Sequence, residues 1–198
     1  MSQLVLDALK ARFGTAILET HSDYGDDTAI IEPTRWKAVC QFLHDEPSMD
    51  FDMPVDLAGV DYPGRLPRME VVMHLYSVSR GHRIRLKARV GDEDMEDAVL
   101  DSVTSIWSGM NWLEREVFDM SGVRFRGHPD LRRILMYPEF VGHPLQRTYP
   151  AQRTQPLVAY RTEQEAGMPI EKLRPFGVDE GMPFGRNGLP RATDVKED

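Results

Sequence analysis

Apolar residues at Leu4, Val5, Leu6, Leu9 and Phe13 read as a short helix that Gly14 ends. Two short strands follow over 16–20 and 28–32, and Asp23–Tyr24–Gly25–Asp26 between them has hairpin turn chemistry. Pro33–Thr34 opens a second helix with Thr34 as its N-cap, and Trp36, Val39, Cys40 and Leu43 form its buried stripe. Residues 51–58 read as a strand that Pro54 pushes to a sheet edge, followed by a Pro- and Gly-rich loop over 59–67. Met69, Val71, Met73 and Leu75 then alternate with polar neighbours, and after a turn at Arg80–Gly81 the alternation sharpens. Ile84, Leu86, Ala88 and Val90 face one way, and Arg83, Arg85, Lys87 and Arg89 face the other as a row of four cations.

The order helix, two strands, helix, three strands predicts an α+β fold: a two-layer α-β2-α-β3 domain over residues 1–91, with helices on one face of a mixed sheet. A second segment, 92–150, starts with an acidic linker (91–97) and continues as a helix. Its apolar stripe is Val103, Ile106, Trp107, Met110, Leu113, Val117 and Met120, with Gly109 as a break and Gly122 as the left-handed C-cap. Beyond it, one further turn of helix is expected at 131–136. The tail, 151–198, alternates prolines and glycines with Leu157, Val158, Tyr160, Ile170, Phe176 and Phe184. That pattern denies it a long helix but is too apolar for a plain disordered tail, so an extended arm lying in a partner's grooves is expected, with wrapping around its own chain as the competitor.

Net charge narrows the function classes. The chain of 198 residues carries a formal −8, against a general nucleic-acid binder. The cationic strand lacks the aromatic residues on which RNA-binding sheets stack bases. One cysteine, Cys40, excludes an internal disulfide and a self-contained iron–sulfur cluster, and its spacing makes it a small core residue. No apolar run reaches the roughly 18 residues of a membrane span.

Candidate chemistry gathers between residues 111 and 145. Glu114, Arg115, Glu116 and Asp119 sit beside Trp112 and Phe118, and Arg124, Arg126, Arg132 and Arg133 follow. Arg115 and Asp119 are four apart and can face each other along a helix. Charges this dense beside aromatic residues suggest a partly desolvated ion-pair network of forked guanidinium–carboxylate contacts, which fixes elements within or between chains. A stand-alone acid/base enzyme would draw on Glu114, Glu116, Asp119 and His128. However, the sequence has no Gly-rich phosphate loop, nucleophile motif or metal triad. His128 and His143, each in a Gly–His–Pro turn, are candidate bases or ligands, but without paired zinc spacing they read as turn histidines bonded to neighbouring backbone or carboxylate.

Glu114–Arg115–Glu116, Asp119, His128–Pro129, Arg132 and Ile134–Leu135, with Gly142–His143–Pro144–Leu145 and Tyr149–Pro150, resemble the signature of the 30-kDa (C-subunit) family of respiratory complex I, the proton-pumping NADH:quinone oxidoreductase. The match is dense over 102–150. Ser121 departs from it, where a bulky apolar residue is usual, and Gln146 and Thr148 stand where charged residues are common. The resemblance implies a non-catalytic, structural subunit of the peripheral arm, with Glu114, Arg115, Glu116, Asp119, His128, Arg132, Arg133 and His143 as structural or interface residues. It implies no cofactor in this chain, with FMN and iron–sulfur clusters in partner subunits. The implied partners are the hydrogenase-like large subunit that helps form the quinone site and the neighbouring cluster-bearing small subunit. The implied location is peripheral, on the cytoplasmic side of a bacterial inner membrane, with membrane contact only through partners. Related subunits serve ferredoxin- or hydrogenase-linked membrane complexes, the alternative.

Overall fold

A computed structural model describes residues 3–158, Glu96 excepted. Helix α1 (Gln3–Phe13) leads into the hairpin β1 (Ile17–Asp23) and β2 (Asp26–Ile31), whose turn places Tyr24 and Gly25 at φ 55° and 84°. These left-handed values at both central residues match the twist of the flanking strands. Helix α2 (Trp36–Asp45) follows, then β3 (Met53–Asp61), β4 (Met69–Ser77) and β5 (His82–Val90). The sheet order is β1-β2-β5-β4-β3, with β2 and β5 parallel and every other pair antiparallel. This is the mixed sheet of an α-β2-α-β3 domain. Beyond it lie β6 (Val99–Asp101), α3 (Met110–Ser121) and β7 (Arg124–Arg126), with β6 and β7 paired in parallel.

One core joins these parts. Leu9 of α1, Val39 and Leu43 of α2, and the inward rows of β4 and β5 pack with Leu100, Met110, Val117, Val123 and Phe125. Alternation decides the strand faces. Met69, Val71, Met73 and Leu75 of β4 and Ile84, Leu86 and Ala88 of β5 are essentially solvent-free, as the period-2 pattern requires. The opposite row of cations is paired across strands. Buried Glu70 on β4 meets Lys87 at 3.1 Å, Arg89 at 3.3 Å and Arg65 at 3.1 Å, while Asp26 on β2 takes Arg83 and Arg85, both at 3.0 Å.

Several local expectations give way to tertiary ties. Residues 33–35 form a 3₁₀ turn and α2 starts at Trp36 with no side-chain cap, so Thr34 is not its N-cap. The third strand runs from 53 to 61 and takes in Gly59, Val60 and Asp61, which composition assigned to a loop. The helix predicted from Val103 begins only at Met110, with Gly109 at its boundary. Ahead of it the chain makes tight turns, because the Val103 N–H is taken by the Glu114 carboxylate and the Trp107 indole donates to the Phe51 carbonyl at 3.0 Å. Residues 131–136 are not helical, because Asp119 takes three of their backbone N–H groups. From residue 159 on, the expected arm lies outside the described residues.

Helix α3 sits on β3 at unusually close range. A Cβ on Gly59 would stand 2.7 Å from Ser121 Oγ and 3.2 Å from Val117 Cγ1, so one side must be glycine and the other small. This accounts for a small residue at Ser121, where the resemblance implies a bulky apolar one. Gly59→Val is expected to lower stability by about 1–3 kcal/mol through overpacking. Urea unfolding checks this, and an unchanged midpoint would contradict the close packing.

Candidate functional site

Helix α3 has two occupied faces. Its 3.6-residue repeat turns Met110, Glu114, Val117 and Ser121 toward the sheet, and all four are buried. Asp119 projects to the opposite side, yet it is also fully buried. It is covered because the segment after β7 folds back and runs along the outer face of α3. His128 bonds at Asn111, Arg132 and Arg133 at Arg115, and Ile134–Met136 at Asp119.

Two side chains one turn apart hold this outer segment by its backbone. Asp119 Oδ2 accepts from the N–H groups of Ile134 (3.0 Å), Leu135 (2.8 Å) and Met136 (2.8 Å), and Oδ1 accepts from the Arg133 guanidinium at 2.7 Å. Arg115 donates to the carbonyls of Arg132 at 3.0 Å and Arg133 at 3.1 Å. Arg115 and Asp119 therefore do not pair with each other, as their spacing suggested. The cation takes the carbonyls and the anion takes the amides that follow. Burial alone would raise the Asp119 carboxyl, but the three N–H groups and Arg133 outweigh it and hold the group below its ordinary value.

The closing Gly–His–Pro–Leu segment caps the C-terminus of α3, where the last carbonyls have no intrahelical partner. Gly122 N–H takes the Phe118 carbonyl, His143 Nδ1–H takes Asp119 O at 2.9 Å, Leu145 N–H takes Met120 O at 2.9 Å, and the Gln146 amide takes Ser121 O at 3.0 Å. Gly122, at φ 87°, is required twice: the turn is left-handed, and a Cβ there would stand 2.9 Å from the His143 ring. Arg133 also reaches the Gly142 carbonyl at 3.0 Å, tying the two outer stretches together.

The remaining predicted residues divide. His128 Nδ1 accepts from the Asp130 N–H at 3.0 Å, so its Nε2–H donates to Asn111 O at 3.1 Å. Both histidines are thus turn residues bonded to backbone. Arg132 is largely exposed and meets Asp130 at 2.9 Å. Glu116 is exposed and joins none of these contacts. Sequence reasoning missed Asp61 and Arg68, which form a forked pair at 2.7 and 2.8 Å. Asp61 also accepts the Arg147 N–H at 2.7 Å, and Arg68 donates to Thr148 Oγ1 at 3.1 Å, so the β3–β4 hairpin anchors the end of the closing segment. Hydrogen bonds from Arg68 hold the Asp61 carboxyl below its ordinary value. One Asp and one Arg on either side of a Pro/Gly loop give no sequence signal of such a pair.

Glu114 is the electrostatic exception. It is solvent-free; Oε1 accepts the Val103 N–H at 2.8 Å, and Oε2 is buried with no hydrogen-bond partner among the described residues. Burial pushes its carboxyl up to about 7, against smaller opposing effects of Ser102, the Val103 N–H and Lys37. Its charge adds to burial in raising the neighbouring Cys40 thiol. Among the described residues no group of three His, Cys, Asp or Glu side chains is placed to hold a metal ion.

Two outcomes follow for stability. Asp119→Ala strands Arg133 and three backbone N–H groups, and is expected to cost about 3–5 kcal/mol in denaturant unfolding; a loss within experimental error would mean that Asp119 clamps nothing. Glu114 has the opposite sign. Its folded value of about 7 exceeds the unfolded value near 4.5, so the unfolded chain releases this proton first. Its contribution is fully present below pH 4.5 and is lost as pH rises to about 7, on the order of 3 kcal/mol. Glu114→Gln is expected to gain on the parent by that amount between pH 5 and 8; parallel stability curves would contradict a buried, proton-bearing carboxyl.

The chain is similar to known proteins over most of its length. Residues 29–155 match the family model described as the respiratory-chain NADH dehydrogenase 30 Kd subunit. The C 2 subunit of the NADH-quinone oxidoreductase of Rhizobium etli (strain CIAT 652) is 40% identical over 172 residues, 87% of this chain and 81% of that protein. The C subunit of the NADH-quinone oxidoreductase of Geobacter sulfurreducens (strain ATCC 51573 / DSM 12127 / PCA) is 43% identical over 145 residues, 73% of this chain and 86% of its relative. Among solved structures, the trypsin-resistant fragment (1-134) of Nqo5 superposes with a TM-score of 0.54 at 29% identity, covering 65% of this chain and 98% of that one. A matched span that runs from within β2 through β3, β4, β5, α3 and the whole clamp, with relatives named as C subunits of NADH-quinone oxidoreductase, leads to one conclusion: this chain belongs to the 30-kDa subunit family of respiratory-chain NADH dehydrogenase.

Proposed function

We propose that this chain is a non-catalytic structural subunit of the peripheral arm of a proton-translocating NADH:quinone oxidoreductase. It supports electron transfer from NADH to quinone by packing against the hydrogenase-like large subunit at the quinone site and beside the cluster-bearing small subunit. The FMN and iron–sulfur clusters reside in those and other partners. The complex holds the chain on the cytoplasmic side of the inner membrane; within the described residues no helix is long and apolar enough to cross a membrane.

The observation that carries this reading is how the signature side chains are used. Arg115, Asp119, His128, Arg133 and His143 each bond to backbone groups of the chain itself. Groups occupied in this way position chain segments rather than move protons on a small molecule. Arg115→Ala frees the Arg132 and Arg133 carbonyls and loosens the outer segment. In membranes from cells carrying that variant, the amount of assembled complex is expected to fall several-fold, while NADH:quinone turnover per assembled copy stays near the parent value. Normal assembly with abolished turnover would instead place the cluster in the reaction.

A further inference from the structure

The outer segment presents a surface unlike the rest of the chain. Residues 122–153 hold six arginines, at 124, 126, 132, 133, 147 and 153, no lysine, and two acids, Asp130 and Glu139, a net +4. The chain as a whole is −8, so the remaining residues carry −12. Arg126 and Arg132 meet Asp101 and Asp130 but keep 74% and 72% of their side chains exposed.

Large apolar side chains share this surface: Trp112 is 66% exposed, Leu135 55%, Leu145 56% and Val141 45%. Their backbones are not free to turn them inward. The Leu135 N–H is held by Asp119, the Leu145 N–H by the Met120 carbonyl, and the Val141 N–H by the Gln155 side chain at 3.0 Å. Behind them, Tyr137, Phe140 and Tyr149 form a run of ring contacts at 5.7 and 5.9 Å, with Arg133 over Phe140 and Arg153 over Tyr149. Trp112 and Leu135 belong to the same outer layer, because Asn111 receives His128 and Asp119 receives Leu135, about two turns further along α3.

We propose that the outer layer of α3, with Trp112, Leu135 and Leu145 as apolar anchors and Arg132 beside them, docks a neighbouring protein subunit that offers carboxylates around an apolar patch. Charge complementarity identifies the occupant: counted with Asp101 and Asp119, which Arg126 and Arg133 meet, the +4 segment is still +2 on a −8 chain and selects an acidic surface. The use of arginine alone favours protein carboxylates, which guanidinium binds as a planar fork, over a diffuse anionic surface that lysine serves equally well. Exposed Trp, Leu and Tyr among arginines are the composition of interface anchors, and a pinned backbone lowers the ordering cost of binding. This proposal rests on the chain being a subunit of a larger assembly and specifies the face it uses.

The test uses complex purified from detergent-solubilised membranes, with this chain quantified per complex by mass spectrometry. A Leu135→Asp, Leu145→Asp double variant and a separate Arg132→Glu variant are expected to lower its occupancy about tenfold or more. Both expose their substituted groups to water, so melting temperatures of the isolated chains are expected within about 4 °C of the parent. Should the double variant unfold, Arg132→Glu decides alone, since among the described residues its side chain meets only Asp130. Parent-like occupancy of a folded variant overturns the docking face. Absence of the parent chain from the complex removes the subunit reading itself, and this proposal with it. Flotation of the isolated parent, but not the variants, with phosphatidylglycerol/phosphatidylcholine vesicles would overturn it in favour of a lipid surface.

Discussion

A buried carboxylate on the wrong side of a helix is the constraint from which the rest follows. Asp119 faces away from the sheet, where a helical residue normally meets water, and it is solvent-free only because a second layer has been drawn over it. An unpaired charge there would be severely destabilising. Three consecutive backbone N–H groups and one guanidinium meet it, and each residue from Arg132 to Met136 gives a backbone group to Arg115 or Asp119. Arg115, one turn earlier, binds the two preceding carbonyls, so a stretch without regular structure gains a fixed path. The helix thereby becomes the middle of three layers, with sheet below and clamped segment above.

The inner side of the same helix is built with equal strictness but different chemistry. Gly59 and Ser121 let α3 approach β3, and the Asp61–Arg68 pair fixes the hairpin to the closing segment by way of Arg147 and Thr148. Glu114 is a group whose local interactions conflict with its surroundings. It secures the turn at Val103 but leaves one oxygen unpartnered in the core, so its burial opposes stability at neutral pH where Asp119 favours it. Two carboxylates five residues apart on one helix thus have opposite electrostatic signs, set by how many donors each one meets.

Much of the α-β2-α-β3 domain was legible in the sequence, because period 2 and period 3.6 are local signals that burial enforces. The alternation from Ile84 to Val90 located β5, and Trp36, Val39, Cys40 and Leu43 located α2. Failures came where a tertiary contact outranked local pattern. Val103, Ile106 and Trp107 have helical spacing, but Glu114 and the Phe51 carbonyl bind that stretch as turns. Residues 131–136 have helix-compatible composition, yet Asp119 takes the N–H groups a helix needs. The charged cluster was visible as a cluster, and its role as a holder of elements was inferred from density alone. Which charge meets which group was not visible: the i, i+4 rule paired Arg115 with Asp119, and the backbone of a segment beyond β7 won both. The long-range pair Asp61–Arg68 had no local trace at all.

Native-state amide hydrogen exchange at Ile134, Leu135 and Met136 tests the clamp most directly. If Asp119 holds this segment as closely as the distances state, these three amides exchange only through a major unfolding event, with protection close to that of Val71 and Leu86 in the central strands. Exchange at the rate of an open surface loop, with the central strands still protected, would mean that the outer layer is not held by Asp119.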